Sequence, residues 1–225
     1  MKKVLIPVTN HATLGETCQA NGTYSPELTH VVDVLNKAGV SYDIASIKGG
    51  AAPLYGTDIE DDPINTAVIA DEQFARQIAN TLVLSDIEIN KYDAVFYPGG
   101  FGLLSDLALD EDVGAIAGAH YAAGGVIAAV CHGPAALLPI TLPNGDKLLS
   151  SHRVTSFTRE EEVDYNTIND IPFLLEDALA RTAAGFSKVP PWGEYVVKDE
   201  RVITGQNPAS AHAVGAALVA ALGEG

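Results

Sequence analysis

The apolar run Val126-Ile127-Ala128-Ala129-Val130 rises to a cysteine, Cys131, then breaks at once into His132-Gly133-Pro134 and the small residues Ala135-Ala136. This order predicts a buried strand ending in a sharp strand-to-helix turn with a thiol at its apex. Such a turn lifts the sulfur out of the sheet into a cleft. It also aims the N-terminus of the next helix at the sulfur, which favours a thiolate and any developing oxyanion. Cys131 is therefore a candidate nucleophile, and His132 follows directly, so its ring can sit beside the sulfur. The competing reading is a buried structural cysteine, because free cysteine is among the most buried residue types.

The elements that must position such a turn are legible around it. Residues 3–9 read as a buried strand. Ser25 as N-cap and Pro26 at the first helical position open a helix with the apolar stripe Leu28, Val31, Val32, Leu35 and Ala38, and Gly39 ends it. A second strand over 40–47 completes a strand–helix–strand unit, whose crossover implies a parallel pair. Residues 49–68 are loop-like and acidic; a connection this long is an active-site rim or partner surface, or else a solvated loop. Residues 69–84 look helical. A third strand over 92–97 ends in Pro98-Gly99-Gly100-Phe101-Gly102, and a helix-rich stretch over 110–123 leads to the Cys131 strand. Beyond it, 147–157 is strand-like and 172–179 helical. Residues 195–197 and 202–204 form a hairpin, and 209–222 a final helix of small residues. The alternation predicts an α/β fold with an open, mostly parallel sheet and helices on both faces. Ligands bind such sheets at the carboxyl ends of the strands, where Gly99-Gly100 and Cys131 both fall.

The chain has 225 residues, 47% of them hydrophobic, and 21 glycines, which fits a single domain over 1–225 with a loop-rich insertion around 49–68. Its two cysteines, Cys18 and Cys131, lie far apart, so reduced thiols in a cytoplasmic setting are expected rather than a disulfide framework. A formal charge of -16, from 13 basic and 29 acidic residues, argues against nucleic acid or an anionic membrane as partner. No apolar run reaches the roughly 18 residues that span a bilayer. The histidines His11, His30, His120, His132, His152 and His212 show no close ligand spacing, and no full G-x-G-x-x-G is present. Neither a metal nor any other cofactor is expected.

Five blocks carry a resemblance: Gly22-Thr23-Tyr24-Ser25-Pro26-Glu27-Leu28, Tyr97-Pro98-Gly99-Gly100, Ala129-Val130-Cys131-His132-Gly133-Pro134, residues 154–162 (Val-Thr-Ser-Phe-Thr-Arg-Glu-Glu-Glu) and residues 202–210. Together, in this order, the chain resembles the ThiJ/PfpI superfamily, related in fold to class I glutamine amidotransferase domains. Within it the chain is most similar to the heat-shock chaperones with cofactor-independent glyoxalase III activity. The resemblance implies a flavodoxin-like three-layer sandwich, a homodimer and a Cys-His-acid set. It maps the proton-handling glutamate onto Glu27, the partner base onto His132, and the orienting acid onto Glu161 or Glu162, with Glu162 preferred. Gly99 and Gly100 resemble the oxyanion segment, where the N–H of Gly100 would act with that of His132. One position departs from the branch, which carries histidine where this chain has Phe101.

The implied chemistry is conversion of a small neutral 2-oxoaldehyde such as methylglyoxal to a 2-hydroxy acid through a hemithioacetal on Cys131. Two other readings use the same residues differently. One is hydrolysis of an amide or glycation adduct; the other is a stress chaperone with a redox-sensitive cysteine, which needs an exposed apolar patch. A glutaminase is disfavoured, because no His-x-Glu follows far downstream of Cys131.

Overall fold

The computed structural model describes residues 2–223. The extreme ends of the expected 1–225 domain, Met1, Glu224 and Gly225, lie outside the described residues. Among those described, seven strands form one sheet in the spatial order Val196–Asp199, Val202–Gly205, Val126–Val130, Ala94–Tyr97, Lys3–Val8, Ser41–Ser46, Leu82–Val83. Only the Val196–Asp199/Val202–Gly205 hairpin pairs antiparallel; every other neighbour is parallel.

Side chains alternate across this sheet with the period of two that strands impose. Val4, Ile6, Val8, Ala94, Phe96, Ala128 and Val130 face one side, where the helices Ser25–Lys37 and Ala211–Gly223 cover them through Leu28, Val31, Leu35, Val214 and Leu218. Leu5, Val95, Tyr97, Ile127 and Ala129 face the other side, against Val113 and Ala117 of the helix Glu111–Ala122 and Leu175 and Leu179 of the helix Leu175–Thr182. Burial on both faces is why these strands read as unbroken apolar runs. Fully buried side chains such as Ile6 and Phe96 each contribute about 1.5–3 kcal/mol. The result is the expected flavodoxin-like α/β sandwich.

Several local expectations are corrected. Tyr24, not Ser25, is the N-cap of the first helix, and Ser25 and Pro26 are its first two residues. The Ser25 hydroxyl instead donates to Asn65 Oδ1 at 2.7 Å. The stretch 49–68 is not all loop: it holds the strand Leu54–Tyr55 and most of the helix Pro63–Ile69. Nor is 69–84 one helix, because Asp71 caps a separate helix, Glu72–Ala79, which is followed by the edge strand Leu82–Val83. Of 147–157 only Arg153–Val154 is strand. There the hydroxyls of Ser150 and Ser151 donate back to Lys147 O and Leu148 O and stabilise a tight turn instead. After Cys131 comes a 3-10 turn, Gly133–Leu137, rather than a full α-helix, so the local dipole at the sulfur is a short one.

Candidate active site

Cys131 adopts φ of 60°, a left-handed backbone that non-glycine residues rarely hold. Two backbone bonds clamp it there: Cys131 N donates to Gly205 O and Phe157 N donates to Cys131 O, each at 2.9 Å. The strand Val126–Val130 thus ends in the strained turn that the sequence predicts, with Cys131 only 5% exposed. Gly133 is required beside it, since a Cβ there would lie 2.2 Å from Tyr97 O.

Glu27 reaches the sulfur from the first turn of the helix Ser25–Lys37. Its side chain is fully buried, and neither carboxyl oxygen has a hydrogen-bond partner of good geometry among the described residues. Gly99 leaves room for both groups: a Cβ there would sit 2.1 Å from Glu27 Oε2 and 2.7 Å from Cys131 Cβ. Burial pushes the Glu27 carboxyl up to about 8; the neighbouring thiol and the Gly99 backbone pull the other way but do not offset it. Burial and the Glu27 charge likewise push the Cys131 thiol up. The two groups therefore compete for one proton. With Glu27 protonated, its repulsion disappears and its O–H can donate to sulfur, which makes the thiolate easier to form.

His132 lies on the other side. Its Nδ1 is 3.4 Å from Cys131 Sγ and its Nε2 is 2.7 Å from Glu162 Oε1, with both side chains 1% exposed. The hydroxyl of Thr167 donates a short hydrogen bond to Glu162 Oε2. Phe101 and Phe157 pack beside the imidazole, both tilted to it, their ring centroids 4.4 and 4.7 Å away. Because a carboxylate can only accept, Nε2 carries a hydrogen, which leaves Nδ1 to take the thiol proton.

Glu161, the other candidate acid, faces away from His132 and serves a different purpose. Its Oε2 accepts from Thr158 N and Thr158 Oγ1, closing a capping box on the helix Arg159–Asp164. Its Oε1 accepts from Trp192 N, Gln206 Nε2 and Asn207 Nδ2. Gln206 and Asn207 thus brace the site from below, while Gly100, with φ of 118°, packs its Cα against the backbone of Gly22 and Tyr24.

Over the sulfur is a cavity of about 70 Å³ lined by Tyr24, Tyr55, Phe101, His132, Phe157 and Trp192, among others, and by no lysine or arginine. It suits a small neutral molecule. A larger groove of about 580 Å³ lies at the amino ends of the strands, between Lys2, Asp93, His120 and Arg201, and holds no nucleophile. Among the described residues, no group of three or more His, Cys, Asp or Glu side chains could hold a metal, and no helix is long and apolar enough to cross a membrane.

Residues 17–221 match the DJ-1/PfpI family. The chain belongs to that family. Among DJ-1/PfpI relatives, it is 30% identical to the glutathione-independent glyoxalase HSP31 of Saccharomyces cerevisiae, with 98% of each chain covered. Its fold superposes on that of a 24 kDa rapid encystment protein of Francisella tularensis at a TM-score of 0.93, with 33% identity and 99% of each chain covered. It also superposes on glyoxalase III of Candida albicans at a TM-score of 0.86, with 27% identity and coverage of 98% and 97%. A neighbouring position on this DJ-1/PfpI scaffold was not legible as part of the site. Tyr55 comes from the 49–68 stretch, stapled to the first helix by Asn65, whose Oδ1 accepts from Ser25 and Thr29 and whose Nδ2 donates to Gly56 O. The signal in sequence was only that the connection is long.

Proposed function

We propose that this protein is a glutathione-independent glyoxalase that converts small neutral 2-oxoaldehydes such as methylglyoxal to 2-hydroxy acids. The observation that carries the reading is the fully buried Glu27 carboxyl beside Cys131, both packed against Gly99. A hydrolase needs a nucleophile and a base. A second carboxyl poised near neutrality suits the additional carbon-to-carbon proton transfer of a glyoxalase.

In this scheme Cys131 Sγ bonds to the aldehyde carbon as His132 Nδ1 takes its proton and returns it to the new alkoxide. Glu27 then removes the hydrogen on that carbon, an enediol forms, and a proton delivered to the adjacent carbon yields a thioester. The thioester is an isomer of the hemithioacetal, so no oxidant is involved. Water then releases the 2-hydroxy acid. Glu162 orients His132. The N–H groups of Gly100 and His132, which donate to no backbone carbonyl in the surrounding turns, serve the oxyanion. The reduced thiols Cys18 and Cys131 suit a cytoplasmic setting, and the homodimer of the resembling branch belongs to the same reading. The test is lactate formation from methylglyoxal without glutathione. Purified protein should produce it and Cys131→Ala should not; equal production by both would overturn the scheme.

A further inference from the structure

The cavity over Cys131 is walled by aromatic rings, yet it contains polar groups that nothing in the protein satisfies. The hydroxyls of Tyr24 and Tyr55 form no hydrogen bond with any described residue. By contrast, the Trp192 indole N–H is already committed to Asp164. Each phenol is thus free to donate to a molecule bound in the cavity. Its position is nonetheless fixed. Tyr24 and Tyr55 are register partners in the two-stranded parallel pair Thr23–Tyr24/Leu54–Tyr55, with ring centroids 4.9 Å apart. The Tyr55 ring also rests 6.5 Å from that of Phe101. Of the two, Tyr55 is the one that packs toward Phe101, whose ring lies 4.4 Å from the imidazole of His132.

We infer that the Tyr55 hydroxyl holds the ketone oxygen of the bound 2-oxoaldehyde and stabilises the enediolate that forms from it, a role that rests on the glyoxalase reading above. When the hydrogen on the aldehyde-derived carbon leaves, its electron pair forms the carbon–carbon double bond. The ketone π pair then moves onto the ketone oxygen, which carries negative charge until Glu27 returns its proton to the second carbon and the hydroxyl proton of the first carbon passes to this oxygen, leaving the thioester carbonyl. Tyr55 donates a hydrogen bond to that oxygen and keeps its own proton throughout. Burial and the nearby Cys131 and Glu27 push its ionisation well above the usual range, so it remains a donor at any working pH. A donor aimed at charge that appears only during the reaction acts mainly on kcat. With no lysine or arginine in the cavity, such neutral donors fit a carbonyl oxygen rather than a carboxylate or phosphate.

The test compares wild type with Tyr55→Phe on methylglyoxal, following lactate, with the rate of Cys131 alkylation by iodoacetamide as a readout independent of turnover. The expected result is a fall in kcat of about 100-fold, a smaller change in KM, and alkylation within about twofold of wild type. Turnover by Tyr55→Phe equal to that of wild type would overturn the role of Tyr55 while leaving the glyoxalase reading intact. Parallel loss of turnover and alkylation would show that the ring merely supports the elbow, and overturns the role as well. Absence of lactate from wild type itself would overturn both.

Discussion

His132 Nε2 and Glu162 Oε1 meet at 2.7 Å, with both side chains sealed from solvent. This contact fixes which ring nitrogen faces the sulfur. In Glu162→Gln the amide can offer its NH2 to Nε2, which selects the tautomer whose Nδ1 hydrogen points at the thiol. The kcat for lactate formation should then fall by about 100-fold, the scale of a lost general base. Steady-state kinetics across Glu162→Gln and wild type check this; an unchanged kcat would contradict the orienting role.

Glu161, one residue earlier, should behave differently. Five donors converge on its carboxylate: two from Thr158 and one each from Trp192, Gln206 and Asn207. Glu161→Ala removes the acceptor these donors share, leaving the buried Thr158 pair unmatched, and should cost about 3 kcal/mol or more. For a chain of this size that corresponds to a fall in Tm of roughly 6–12 °C, read by differential scanning calorimetry.

Glu27 links stability to pH through one proton. Its carboxyl is pushed from an ordinary 4.5 up to about 8 in the folded state. Between those values the folded protein holds a proton that the unfolded chain has released, so its stability falls as pH rises. The stability of Glu27→Gln relative to wild type should therefore grow by about 3 kcal/mol between pH 4.5 and 7, measured by urea denaturation at each pH. A pH-independent stability difference would show that the carboxyl titrates normally.

The strain at Cys131 gives a separate test. At φ of 60° a glycine is at ease and an alanine is not. Cys131→Gly should be more stable than Cys131→Ala by about 1 kcal/mol, although neither carries a thiol. The reverse order in urea melts would mean that the turn relaxes once the sulfur is gone.

What the chain revealed in advance was local. The elbow follows from an apolar run, a cysteine and His132-Gly133-Pro134, all within a few residues. The central strands follow from burial on both faces, which leaves no polar alternation to confuse the reading. Glu161 and Glu162 were harder, because adjacent residues on a short helix differ only in direction. The resolving signal was nonetheless present: Thr158 stands three residues before Glu161, the spacing of a capping box, which commits Glu161 to the backbone and frees Glu162 for His132. Tyr55 had no such local signal. It reaches the site through a two-residue strand pairing and the hydrogen bonds of Asn65 to Ser25 and Thr29, contacts between segments some 30 to 40 positions apart. The same holds for Phe101, whose type was noted but whose place against the face of His132 depends on packing.

The most direct measurement is the mass of the Cys131 peptide from protein quenched with acid during turnover of methylglyoxal in the absence of glutathione. A lactoyl or hemithioacetal adduct on Cys131 is expected, absent from Cys18 and discharged when substrate runs out. Lactate accumulating while Cys131 remains unmodified, and accumulating equally in Cys131→Ala, would contradict a covalent route through this sulfur.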